Sequence, residues 1–250
     1  MNDDKNINPL EADLRILGLT FMADHYAQLS AKAAKNQIGH QDYLAGLTKG
    51  ELDLRHDRAT ARRVRNARFP VVKTLDHFNW SWPKKINRMA IQNLFRLQFM
   101  EEKANAVFLG TVGLGKTHLA AALGYTACLA GKSVLFTTAV DAINTLAAAQ
   151  AASRLKVEMK KYLAPSLLIL DELGYLPIDK HGADLLFQVI SQRYERGSTV
   201  ITSNREFKKW PEIFNNDSTL TSALLDRLLH HAETMLIEGP SYRMKDQIEA

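Results

Sequence analysis

Residues 110–117 read Gly-Thr-Val-Gly-Leu-Gly-Lys-Thr, a complete Gly-x-x-x-x-Gly-Lys-Thr phosphate-binding pattern. The pattern requires a strand before it and a helix after it, so it commits the chain to an α/β fold. Glycines let the backbone curl until several N–H groups converge on phosphate oxygens. Gly110, Thr111, Val112, Gly113, Leu114 and Gly115 are the expected cradle, with His118 at the start of the following helix. Lys116 is placed to reach the β- and γ-phosphates of a nucleotide, and the Thr117 hydroxyl to hold Mg²⁺. The flanks agree. Ala106-Val107-Phe108-Leu109 is a short apolar run that reads as a buried strand. Residues 118–130 are Ala/Leu-rich and read as a helix, whose N-terminus adds positive potential at the phosphates.

A second motif follows with one strand candidate between. Leu167-Leu168-Ile169-Leu170-Asp171-Glu172 is four apolar residues ending in two carboxylates. Ligands bind at the carboxyl ends of strands in open α/β sheets. Asp171 is therefore the expected partner of the Mg²⁺ shell, and Glu172 the group that polarises an attacking water. A third motif, Thr199-Val200-Ile201-Thr202-Ser203-Asn204, ends a strand in polar residues. Asn204 is the expected contact to the γ-phosphate and the water, with Ser203 second. A fourth, Leu224-Leu225-Asp226-Arg227-Leu228-Leu229, lies on an apolar-striped helix over 219–232, with Asp217 or Ser218 as its cap. Arg227 is the candidate arginine finger, reaching a neighbouring subunit's γ-phosphate and stabilising transition-state charge. The catalytic set is thus Lys116, Asp171, Glu172, Asn204 and Arg227, and the metal set Thr117 and Asp171.

Strands and helices alternate from residue 105 onward. The strand candidates are 106–109, 134–137, 167–170, 199–202 and 235–237, and the Ala-rich segment 139–152 is a helix by propensity. Before that, no proline interrupts the chain between Pro9 and Pro70. Leu14, Leu17, Phe21 and Met22 fit one helical stripe and Tyr43, Leu44 and Leu47 begin another, with Gly18, Gly39, Gly46 and Gly50 as possible breaks. Residues 1–68 read as a small all-helical domain, 69–88 as a linker, and 89–250 as the nucleotide-binding domain. In the linker Pro70 and Pro83 bracket the aromatics Phe78, Trp80 and Trp82. A single helix over 86–102 is expected to lead into the first strand.

Charge is unevenly placed. Residues 55–68 hold six arginines and one aspartate, an excess equal to the whole formal net charge of +5. Arg55, Arg58, Arg62, Arg63, Arg65 and Arg68 make a patch suited to a polyanion such as a nucleic acid, bound with little base specificity. The single cysteine, Cys128, excludes an internal disulfide framework and reads as a small buried apolar residue. No apolar stretch approaches the roughly 20 residues that span a membrane. The N-terminus Met1-Asn2-Asp3-Asp4-Lys5 is polar, and a cytoplasmic protein without a membrane partner is the expectation. No Cys/His cluster has zinc spacing, and His230 and His231, taken as neighbours on a helix, are not expected to face one site.

Taken together, these motifs resemble the AAA+ ATPases. The closer likeness is to the IstB/DnaC group of transposition helper ATPases and bacterial helicase loaders. It is carried by GTVGLGKTHLAAALG, LLILDELGYLP, VITSN, ALLDRLLHHAE and GPSYRMK, and ELDLRHDR leading to ARFPVVKTLDHFNW matches the IstB side better. The resemblance implies a five-stranded parallel sheet in the order 5-1-4-3-2. It also implies Mg²⁺-dependent ATP hydrolysis, ATP-bridged self-assembly on duplex DNA, and a transposase of the same insertion element as partner. Two points depart from the wider pattern. Thr111 stands where the family usually has proline. Only 23 residues follow Arg227, so no C-terminal helical lid is expected, and Arg243 becomes the candidate for the phosphate contact a lid arginine makes. Phe78, just before the core, is a candidate for lining the adenine pocket.

Competing readings are a replicative helicase loader, a P-loop small-molecule kinase and a nucleotide-gated DNA-binding protein of negligible turnover. The Asp-Glu pair, the polar-ended strand and Arg227 count against the kinase, and Glu172 against the last.

Overall fold

The computed structural model describes residues 8–244. By contacts the chain divides between Arg62 and Arg63. The first unit is helical: α1 (Pro9–Ile16), α2 (Thr20–Lys35) and most of α3 (His40–Ala67). Gly18, at φ +69°, turns α1 into α2, and Gly39 precedes α3. Gly46 and Gly50, expected as possible breaks, lie inside α3. At Gly50 the reason is close packing, because a Cβ there would lie 2.0 Å from Cε1 of Phe21 on α2. The amino end of α2 has no cap of its own. The buried Glu51 carboxylate of α3 accepts from the Phe21 and Met22 amides at 2.8 and 3.4 Å, satisfying donors that helix geometry leaves open.

The second unit is a three-layer α/β sandwich. It contains α4 (Arg88–Leu94), α5 (Gln98–Glu101), β1 (Asn105–Leu109), α6 (Lys116–Leu129), β2 (Val134–Thr138), α7 (Ala139–Ala151), α8 (Leu155–Leu163), β3 (Leu167–Leu173), α9 (Lys180–Arg193), β4 (Ser198–Ser203), α10 (Trp210–Ile213), α11 (Ser218–Leu229) and β5 (Ala232–Leu236). The strands lie parallel in the order β2-β3-β4-β1-β5, the expected order read from the other edge. Alternate side chains feed two cores. Ala106, Phe108, Leu167, Ile169 and Val200 face one, with α6; Val107, Leu109, Leu168, Leu170 and Ile201 face the other, with α7, α9 and α11. Every β1 residue is buried, which is why that strand reads as a continuous apolar run.

Two expectations are corrected. Residues 86–102 form α4 and α5, not one helix, because Leu97 takes a left-handed conformation at φ +63°. That conformation costs about 1–2 kcal/mol for a non-glycine residue. Burial of Leu97, Phe99 and Met100 against the core offsets it. Residues 69–88 do not form a free linker either. Phe78 and Pro83 are buried, Lys85 and Glu238 exchange backbone hydrogen bonds at 3.0 and 3.1 Å, and Trp82 Nε1 donates to the Pro240 carbonyl at 2.9 Å. Asp217, not Ser218, caps α11 through the Leu220 amide. Among the described residues only a 3₁₀ turn, Tyr242–Met244, follows β5. No described helix is long and apolar enough to cross a membrane.

Burial alone would raise the Glu51 pKa, but hydrogen bonds from Arg55 and the Phe21 and Met22 amides prevail and lower it. Its contribution to stability is therefore complete above the ordinary value of 4.5 and drains away as pH falls through the lowered folded value. Thermal melts followed by circular dichroism should show that acid limb in the wild type. Glu51→Gln should be less stable at neutral pH and lack it.

Candidate functional site

The site lies at the carboxyl ends of the strands, around a cavity of about 650 Å³. β1 runs into the loop at 110–115, and Gly115, at φ +83°, occupies the position just before α6. A Cβ at Gly115 would also lie 2.7 Å from Cε2 of Phe78, so only glycine satisfies both the backbone and the neighbour. Lys116 is held in the loop by a 2.7 Å hydrogen bond from Nζ to the Thr111 carbonyl. Burial lowers its pKa, Asp171 opposes that, and the Arg243 guanidinium lowers it further.

One carboxylate oxygen organises the far wall. Asp171 Oδ1 accepts from Thr117 Oγ1 at 3.1 Å and from Thr202 Oγ1 at 2.5 Å. Burial raises the Asp171 pKa, and the hydroxyls of Thr202 and Thr117 and the Lys116 charge work against it. The Thr202 hydroxyl does a second task by accepting from the Glu172 amide at 2.9 Å. Its partner strand is irregular here, since the β3–β4 register shifts between Leu170 and Leu173 and Glu172 sits at φ +60°. The bulge turns two consecutive acids to different surroundings: Asp171 is buried, Glu172 is exposed and lines the cavity. Thr202 escaped the sequence reading, which looked to the last residues of the strand. The available signal was its alternation with Ser203: on a strand these two hydroxyls must face opposite sides.

The structure sorts the remaining expectations. Asn204 lines the cavity, and its Oδ1 is buried without a hydrogen-bond partner among the described residues. Ser203, the second choice, belongs elsewhere, since its hydroxyl donates to the Leu173 carbonyl at 2.7 Å. Phe78, Val112, Gly113, Leu114, His118 and Arg243 all line the cavity with Lys116 and Thr117. Phe78 is fixed edge-on to His118 at 5.5 Å, and His118 Nε2 lies 2.9 Å from the Thr74 carbonyl. The Thr111 side chain is exposed, and nothing in the structure explains the residue's departure from proline.

Arg227 is not brought to this cavity. Its guanidinium lies 5.0 Å from the Phe187 ring, with Nη1 donating to the Ala223 carbonyl at 2.9 Å. The arginines of 55–68 have different surroundings. Arg55 pairs with Glu51 at 3.1 Å and reaches the Gly18 carbonyl, and Arg58 reaches Thr20. Arg63 donates to the Cys128 carbonyl at the end of α6. Arg62 and Arg65 are exposed on α3. Arg68, just past α3, lines a second cavity that also touches Thr117, Asp171 and Glu172.

This donor set fits a Mg²⁺–nucleotide. It combines a glycine cradle, a lysine, a hydroxyl and carboxylate 3.1 Å apart, and an amide oxygen without a partner. For the nucleotide, the comparisons agree. Residues 12–250 match the family model described as IstB-like ATP binding protein. A relative from Pseudomonas aeruginosa, named for insertion sequence IS21 and for ATP binding, is 39% identical over 244 residues, spanning 98% of this chain and 92% of its own. A relative from Bacillus thuringiensis subsp. berliner, named for insertion sequence IS232 and ATP binding, is 40% identical over 237 residues, spanning 95% and 94%. Among solved structures, the DnaC helicase loader superposes with a TM-score of 0.55 at 23% identity, over 70% of this chain and 99% of its own. That likeness concerns the fold.

Thr202→Val removes both the donor to Asp171 and the acceptor for the Glu172 amide at nearly constant volume. Turnover of a bound nucleoside triphosphate should fall by about tenfold or more with KM little changed, the pattern of a group that positions reacting parts. Thr202→Ser should restore most of it. Steady-state kinetics on both variants makes the check, and equal loss in both would indicate a packing defect instead.

Proposed function

The chain belongs to the IstB-like ATP binding proteins, and from that premise we propose that it is a Mg²⁺-dependent ATPase. It assembles on duplex DNA and assists the transposase of its own insertion element. The observation that carries the hydrolytic part is the network joining Thr117, Asp171, Thr202 and Glu172 beside Lys116. Thr117 and Asp171 would hold Mg²⁺, which neutralises phosphate charge during transfer. Lys116 and the loop amides bind and orient the phosphates. Glu172 is free to accept a proton from water, because Thr202 holds its amide and leaves its carboxylate facing the cavity. Asn204 supplies the partnerless amide oxygen that a water or a phosphate-bound group would satisfy.

Arg227 supports the shared-site part of the proposal by its position. It lies outside its own protomer's cavity, on α11, so its service as a finger requires a second copy of the chain. DNA contact falls to Arg62 and Arg65 in this reading, because Arg55, Arg58 and Arg63 have protein partners. The names of the relatives from Pseudomonas aeruginosa and Bacillus thuringiensis support the insertion-element setting.

The deciding experiment is ATPase rate per protomer against protein concentration, with and without duplex DNA. Wild type should rise with both. Arg227→Ala should lose about 100-fold or more while still binding nucleotide. A rate flat in concentration, indifferent to DNA and unchanged by the substitution would overturn the assembly reading. Adding the element's transposase or a replicative helicase to the same assay separates helper from loader, since only the true partner changes the rate. In titrations at several salt concentrations, Arg62→Ala and Arg65→Ala should each weaken DNA binding across sequences and reduce the salt slope by about one.

A further inference from the structure

At the amino ends of the strands, away from the phosphate loop, three ligand-bearing side chains converge. α11 ends at Leu229, so His230 and His231 do not stand on successive helical positions as the sequence suggested. The chain turns there from α11 into β5, and the two imidazole rings lie 4.0 Å apart, centroid to centroid. Glu195 comes from the turn between α9 and β4, itself held at φ +57°. One ligand atom from each of Glu195, His230 and His231 lies within 4.8 Å of the others, and among the described residues no other group of three such side chains does so. Among the described residues no hydrogen bond or ion pair joins Glu195 directly to either imidazole; Glu195 interacts instead with the Tyr194 hydroxyl. A further side chain orients the group, since the Tyr194 hydroxyl lies 2.8 Å from His230 Nδ1. A hydrogen bond to one ring nitrogen sets the ring's orientation and tautomer, the usual outer support of a metal-binding histidine.

We propose that Glu195, His230 and His231 form a binding site for a divalent transition-metal ion of the zinc class. Two imidazoles and one carboxylate are borderline and hard donors that suit Zn²⁺, Ni²⁺ or Co²⁺ better than the all-oxygen shells of Mg²⁺ and Ca²⁺. All three side chains are exposed, so the ion keeps open positions for water or for a ligand from another molecule. The site is separate from the nucleotide cavity, which has no histidine among its Mg²⁺-binding candidates. Its consequence is mechanical. The ion ties the α9–β4 turn to the end of α11, and α11 carries Arg227, whose guanidinium rests on Phe187 of α9. An occupied site stiffens the helix pair that presents that arginine.

The test uses the full-length protein stripped with chelator and titrated with Zn²⁺ by calorimetry, alongside thermal melts in Zn²⁺ and in Mg²⁺ alone. Saturable binding of one equivalent is expected, with a melting temperature raised by Zn²⁺ and a visible Co²⁺ spectrum that Zn²⁺ displaces. His231→Ala and Glu195→Ala should each weaken binding by about tenfold or more. His181→Ala, an exposed histidine on α9, should leave it unchanged. Circular dichroism of each variant confirms folding, since the substituted groups are exposed. Absence of saturable binding at millimolar Zn²⁺ would overturn the proposal, and so would binding that survives the His230→Ala/His231→Ala double substitution.

Discussion

The arrangement of the site depends on one buried oxygen. Asp171 Oδ1 takes hydroxyls from the start of α6 and from β4, and so fixes the relative positions of three elements. A buried carboxylate is costly unless hydrogen-bonded, and here each donor also lines the cavity. Thr117 lies in the first turn of the helix after the phosphate loop, and Thr202 is the penultimate residue of the strand that leads to Asn204. Parallel pairing sets the order and register of the strands. The two hydroxyls turn that into a definite placement of side chains.

The bulge at Glu172 has a related role. A regular strand would point Asp171 and Glu172 to opposite faces of the sheet and send the second acid into a core. The register shift and the left-handed residue keep the strand's core contacts, with Leu170 and Leu173 both buried, yet leave Glu172 at the cavity. A left-handed glutamate is strained by the order of 1 kcal/mol, and the amide bond to Thr202 helps to hold it. The segment before α4 completes the opposite wall. It brings Phe78 against the glycine that starts α6, so loop and aromatic wall are packed as one surface.

Sequence reasoning reached the sheet because parallel strands buried on both sides read as apolar runs bounded by polar turns. Each expected strand overlaps a strand of the sheet, though the last begins three residues before 235–237, and their order agrees with the family resemblance. Lys116, Thr117, Asp171 and Glu172 were legible for the same reason, since each sits at a fixed offset from a strand end. What stayed hidden depends on contacts between distant segments. Nothing local marks Leu97 as left-handed; its burial decides it. Gly50 looks like a break until Phe21 is seen where a Cβ would be. The arginine run at 55–68 has the composition of a polyanion-binding patch, but Glu51, Gly18 and Thr20 claim part of it. The sequence puts His230 and His231 on one helix, and a boundary three residues earlier reverses the conclusion.

The hydrogen bond from Lys116 to the Thr111 carbonyl makes the loop its own competitor. Any anion entering must do better than an internal acceptor already within 2.7 Å of the ammonium group. A single weak anion offers little more than the carbonyl does, whereas a polyphosphate engages the lysine and several backbone amides together. Exchanging that carbonyl for a ligand therefore favours one that meets the lysine and the loop amides at the same time, so ligand valence counts beside ligand charge.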